Sequence, residues 1–126
     1  MVFARRTFSI AGIYGLLALV PLYALEARTG RDFPPPITHP EYYYGFVGVA
    51  VAWQVAFLVI ARDPVRFRPI MFPAMLEKAT FGLAAVGLWL DDRLPTPVPA
   101  FGLIDPALGV LFVVAYLRTP QRSSPG

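Results

Sequence analysis

Cysteine is absent from the 126 residues, which excludes a disulfide framework, a thiol nucleophile and a thiolate-ligated metal. Charge is scarce: Asp, Glu, Lys and Arg make up 15% of the chain, against about 25% in an average soluble protein. Histidine occurs once, as His39, and serine only as Ser9, Ser123 and Ser124. What fills the chain instead is apolar: 56% of residues are hydrophobic, and the mean hydropathy is +0.57. A soluble domain this small cannot hide that much apolar surface from water, because small domains bury a smaller fraction of their surface. Lipid is the solvent that such a composition requires.

The apolar residues are gathered into long runs. Tyr42 to Ala61 has no formal charge over 20 residues, the length that crosses a hydrocarbon core of roughly 30 Å as a helix. Thr38-x-x-Glu41 has capping-box spacing and Pro40 suits a first turn, so a helix is expected over 39–61. Arg5-Arg6 precedes a second uncharged run, 7–25. It exceeds the h-region of a signal peptide and lacks a small-x-small cleavage site, so it reads as a retained transmembrane helix. Pro21 removes a backbone donor and is expected to kink its last third. The first loop, Glu26 to Ile37, carries Pro34-Pro35-Pro36, which favours an extended polyproline strut. Asp63-Pro64 predicts a cap and a one-turn interfacial helix over 63–69. A third helix is expected at 73–90, with Glu77 and Lys78 close enough to its start for lysine to snorkel. The fourth, 101–117, is interrupted by Asp105, whose Asp-Pro step reads as a helix cap, with a re-entrant or interfacial turn over 100–104.

Charge sets the orientation. With four crossings, one side holds Arg5, Arg6, Arg62, Arg66, Arg68, Arg118 and Arg122 against Asp63 alone. The other holds Arg28, Arg31 and Arg93 against Glu26, Asp32, Glu41, Asp91 and Asp92. For an all-α, four-helix polytopic bundle, a single membrane domain over 1–126, the positive-inside rule then predicts both termini cytoplasmic. The basic pI near 9.6 does not indicate nucleic acid, since the arginines punctuate apolar runs rather than forming a patch. In this topology the serines lie opposite His39, which disfavours a Ser/His/Asp arrangement. His39 shares its side with Glu41, Asp91 and Asp92, a set that falls short of a metal site, so no metal or other cofactor is expected.

Glu77 is the first residue to examine for chemistry, because ionisable groups at membrane depth are costly and often functional. The simpler reading pairs it with Arg62, Arg66 or Arg68 in the preceding loop. Being adjacent, Glu77 and Lys78 point about 100° apart and are not expected to pair with each other. Gln54 and Trp53 sit mid-helix, and the Gln54 amide is expected to bond a neighbouring helix. With Glu77 they are the candidate ligand-binding residues. Gly48, Ala52 and Ala56, with Ala11 and Gly15, form small-residue stripes that let helices approach closely. Tyr42, Tyr43 and Tyr44 read as an interfacial belt.

Trp53-Gln54 in the second helix, the basic Arg62-Asp63-Pro64 turn and Leu76-Glu77-Lys78 opening the third give a layout that resembles the small four-helix bacterial membrane proteins grouped as DoxX-like. It is more distantly similar to the EXPERA fold of emopamil-binding and sigma-2-type proteins. The EXPERA resemblance implies sterol isomerisation by acidic residues grouped in one membrane cavity. Here Glu77 and Asp105 are expected in opposite leaflets, so no catalytic residue is carried over. The reading that follows is an accessory or packing subunit without an evident catalytic motif, whose partners are the bilayer and other membrane subunits or a second copy. The alternatives are a binder or isomerase of a lipophilic small molecule, and a small transporter or channel component.

Overall fold

The computed structural model describes residues 2–32, 38–91 and 104–121. Among these it is helical throughout: α1 (Val2–Leu19), a 3-10 turn (Val20–Ala24), α2 (Glu26–Asp32), α3 (Pro40–Arg62), α4 (Arg68–Leu90) and α5 (Ile104–Arg118). Three helical stretches are long and apolar enough to cross a membrane: Val2–Ala24, Pro40–Arg62 and Arg68–Leu90. At 15 residues, α5 is about 22 Å long, shorter than a full crossing. The chain before it, including most of the expected re-entrant turn, lies outside the described residues.

Several local expectations are corrected. The first α-helix begins at Val2 and stops at Leu19, where the chain tightens into a 3-10 turn around Pro21; a proline donates no N–H, so the helix changes pitch there. Glu26–Asp32 is helix rather than loop, and the polyproline run lies outside the described residues. The N-cap of α3 is His39, with no side-chain cap bond, so the capping box does not form. The Glu41 carboxylate instead lies 3.2 Å from His39 Nδ1. Between α3 and α4 the chain makes a hydrogen-bonded turn rather than a separate helix. Arg66 N donates to the Asp63 side chain at 3.3 Å and Phe67 N to the Asp63 carbonyl at 3.0 Å. That turn hands directly into α4, which starts at Arg68 rather than 73 and carries Pro73 inside its first two turns.

The four long helices alternate in direction. The Arg118 guanidinium near the end of α5 lies 5.0 Å from the Phe3 ring centre at the start of α1. Arg68 at the start of α4 donates through Nε to the Tyr116 carbonyl at 3.2 Å and stacks over its ring at 3.8 Å. One end of the bundle therefore collects Arg5, Arg6, Arg62, Arg66, Arg68 and Arg118. At the other end, where α1 gives way to the 3-10 turn, Tyr43 donates to the Leu22 carbonyl at 2.7 Å and Tyr44 to Glu26 at 2.9 Å. Those two tyrosines hold α3 onto the chain that leaves α1, while Tyr42 is exposed.

The core is an aromatic cluster drawn from three helices. Phe8 of α1 stacks on Phe112 of α5 at 4.3 Å, and Phe57 of α3 meets Phe112 edge-on at 5.0 Å. Ala4, Ala11, Ala61, Met71, Ala74 and Ala115 fill in around them. Ala11 and Gly15 do belong to the buried face of α1. Their partners differ from the expected stripe: Ala52 is exposed and Gly48 and Ala56 are half-buried. Helix α3 instead buries Val47, Ala50, Gln54, Phe57, Ile60 and Ala61. Glycine is what allows the approach, since a Cβ at Gly12 would lie 2.9 Å from the Gln54 carbonyl oxygen and 2.8 Å from Leu58 Cγ, and one at Gly15 would collide with the Gln54 side chain.

Candidate functional site

Because α4 begins at Arg68, Lys78 stands ten residues into a 23-residue helix, about 15 Å from its start. At that depth a lysine cannot snorkel to the headgroups, and the structure turns it inward. Lys78 is 4% exposed. Its Nζ donates to Asp105 Oδ1 of α5 at 3.2 Å and lies 3.6 Å from Glu77 Oε2 and 5.2 Å from the Phe57 ring centre. The expectation of a lipid-directed lysine is therefore overturned, as is the pairing of Glu77 with the loop arginines. Adjacent residues do point about 100° apart at Cβ, but the long lysine stem bends back far enough to bring Nζ between the two carboxylates. Asp105 lies in the first turn of α5, with Lys78 as its partner. Glu77 and Asp105 meet at one cation rather than standing in opposite leaflets.

With every member ionised the triad carries a net charge of −1, and the enclosed Glu77 Oε2 makes no hydrogen bond, its cation Lys78 Nζ standing 3.6 Å away. That carboxyl lines a groove of about 710 Å³ between α3 and α4. Although consecutive in the chain, these helices touch sparingly, and the gap is walled by Tyr42, Phe46, Trp53 and Phe81, with Thr80 and Glu41 adding polar atoms. The Thr80 hydroxyl lies 2.8 Å from the Leu76 carbonyl, to which it donates, and 3.2 Å from that of Glu77.

Of the three candidate residues, Glu77 and Trp53 come together on this groove and Gln54 does not. Gln54 is 2% exposed and faces α1 across Gly15. Its Nε2 donates to Ala50 O of its own helix at 3.0 Å, while Oε1 has no partner. The expected bond to a neighbouring helix is absent because glycine at 15 leaves space for the amide but offers no side-chain donor. Asp105 as a partner for Lys78 is the feature that sequence reasoning missed. The available signal was that Glu77, Lys78 and Asp105 are the charges left over once the two ends of the bundle are assigned. His39 has Glu41 beside it, and among the described residues no group of three His, Cys, Asp or Glu could hold a metal ion. No family model, curated protein or solved structure matches the chain.

Proposed function

We propose that this chain is a multi-pass protein of a bacterial inner membrane that binds a lipophilic small molecule in the groove between α3 and α4. The observation that carries the reading is the convergence of Trp53 from α3 and Glu77 from α4 on one aromatic-walled space. Its volume falls within the 300–1,000 Å³ typical of small-ligand sites, which are mostly apolar with a few orienting polar groups. The ligand class is an apolar body bearing a hydrogen-bond donor for the Glu77 carboxylate. Membership of the DoxX-like or EXPERA-like proteins belongs to the same proposal, supported by the two acids that meet in the apolar part of the bundle. No catalytic residue is assigned, since Lys78 already engages Asp105.

The test is to fill the groove. Thr80→Trp places an indole in it without touching the aromatic core, and organic extracts of the purified protein are compared by mass spectrometry. The native chain is expected to carry a small lipophile that falls at least fivefold in the variant at unchanged melting temperature. Identical extracts would refute the reading. An accessory-subunit role is the second reading, favoured by the exposed Ala52, Val55 and Val59 of α3, none of which lines the groove; in that case the native chain purifies with a protein partner and an empty groove.

The proposed topology is four crossings with both termini cytoplasmic. What supports it is the grouping of Arg5, Arg6, Arg62, Arg66, Arg68 and Arg118 at one end, the side the positive-inside rule assigns to the cytoplasm. A phosphatase–galactosidase reporter pair fused after Gly126 should report cytoplasm, and a periplasmic signal would contradict the four-crossing arrangement.

A further inference from the structure

At the arginine-rich end a second groove, of about 430 Å³, opens between α1 and α5. Its floor is Val2, Phe3, Ile10, Leu108 and Leu111, and Arg6 is the charged residue on its wall. Phe3, Arg6 and Ile10 follow helical spacing along one face of α1, so the cation sits in register with the apolar strip. Arg118 does not line the groove, but its guanidinium lies 5.0 Å from the ring centre of Phe3, which does. Neither arginine has a carboxylate within ion-pair distance among the described residues. Two guanidiniums with no carboxylate partner among the described residues, beside an apolar channel, are complementary to a molecule with an anionic head and a hydrocarbon tail. Guanidinium matches phosphate oxygens in a bidentate geometry, and basic pockets between helices on the cytoplasmic side recognise anionic lipid headgroups.

We propose that this groove is a binding site for one anionic phospholipid, its phosphate held between Arg6 and Arg118 and one acyl chain lying along Ile10, Leu108 and Leu111. The site is independent of the space between α3 and α4, and occupancy there would tie the start of α1 to the end of α5 from outside the bundle. A free phosphate would use the guanidiniums without the channel, and a second copy of the chain would use the channel without the guanidiniums.

Native mass spectrometry of the detergent-purified full chain, titrated with palmitoyl-oleoyl phosphatidylglycerol or the matching phosphatidylcholine, tests this. One phosphatidylglycerol should be retained in preference to phosphatidylcholine. Arg6→Gln/Arg118→Gln should reduce that retention at least tenfold, whereas Arg5→Gln/Arg62→Gln, which removes equal charge from exposed positions off the groove, should leave it near native. Ile10→Trp should reduce it with both arginines intact. Equal loss in the two arginine pairs would overturn the proposal in favour of general surface charge. Competition by glycerol phosphate as effective as by lipid would overturn it in favour of a bare phosphate site, and a dimer mass that Ile10→Trp abolishes would do so in favour of a second copy.

Discussion

Lys78→Met is expected to cost about 3–5 kcal/mol of stability, the range for removing one partner of a buried ion pair. The volume hardly changes, so the loss is electrostatic. Methionine leaves the Asp105 carboxylate without its donor at 3.2 Å and Glu77 without its cation at 3.6 Å, both inside an apolar bundle. It also removes the Lys78 contact on the Phe57 ring. Thermal unfolding of the purified protein in mild detergent, followed by circular dichroism, reads the effect as a lowered midpoint. Adding Glu77→Gln and Asp105→Asn to Lys78→Met should recover most of the loss, because replacing every member of a buried charge cluster is often close to neutral. A native-like midpoint for the single variant would mean that the triad does not hold α4 to α5.

Phe112→Ala should cost about 3 kcal/mol, the lower part of the range for a core phenylalanine. The lower part applies because transfer from water contributes little when the unfolded reference also sits in lipid or detergent. What remains is lost packing, and Phe112 contacts the Phe8 ring at 4.3 Å and the Phe57 ring at 5.0 Å, so three helices lose their common contact. Leu17→Ala provides the contrast in the same assay. Leu17 is 73% exposed and would face lipid, so truncating it should leave the midpoint unchanged within about 0.5 kcal/mol. Similar losses at the two positions would show that something covers the outer face of α1.

The helices were legible to the extent that length and charge suffice to define them. The run from Tyr42 to Ala61 has no charge to end it, and Pro40 and Asp63 close it at both sides, so the expected 39–61 and the observed Pro40–Arg62 differ by one residue at each end. The start of α4 was misjudged by five residues because Pro73 looks like a first-turn proline, yet the preceding turn, held by Asp63, already feeds helix at Arg68. That small shift had a large consequence. Moving the start by five residues carries Glu77 and Lys78 about 7 Å deeper, from a depth where lysine snorkels to one where it needs an internal partner. The partner, Asp105, lies 27 residues on, beyond any local spacing rule.

Composition and the spacing of charge by themselves determined that this is an all-helical chain with stretches long enough to cross a bilayer, and which charges share an end. Those properties follow from chain length, hydropathy and backbone hydrogen bonding, all of which are local. Which face of each helix turns inward was decided by the tertiary structure alone. The apolar residues surround these helices on nearly every side, so no stripe distinguishes core from lipid, and Gly48-Ala52-Ala56 looked as suitable for packing as the face that carries Ala50, Gln54 and Phe57. Only the meeting of Gly12 and Gly15 with Gln54, of Phe112 with Phe8, and of Lys78 with Asp105 separates them. Close packing and buried charge pairing are properties of two helices at once, and neither is written in the sequence of one.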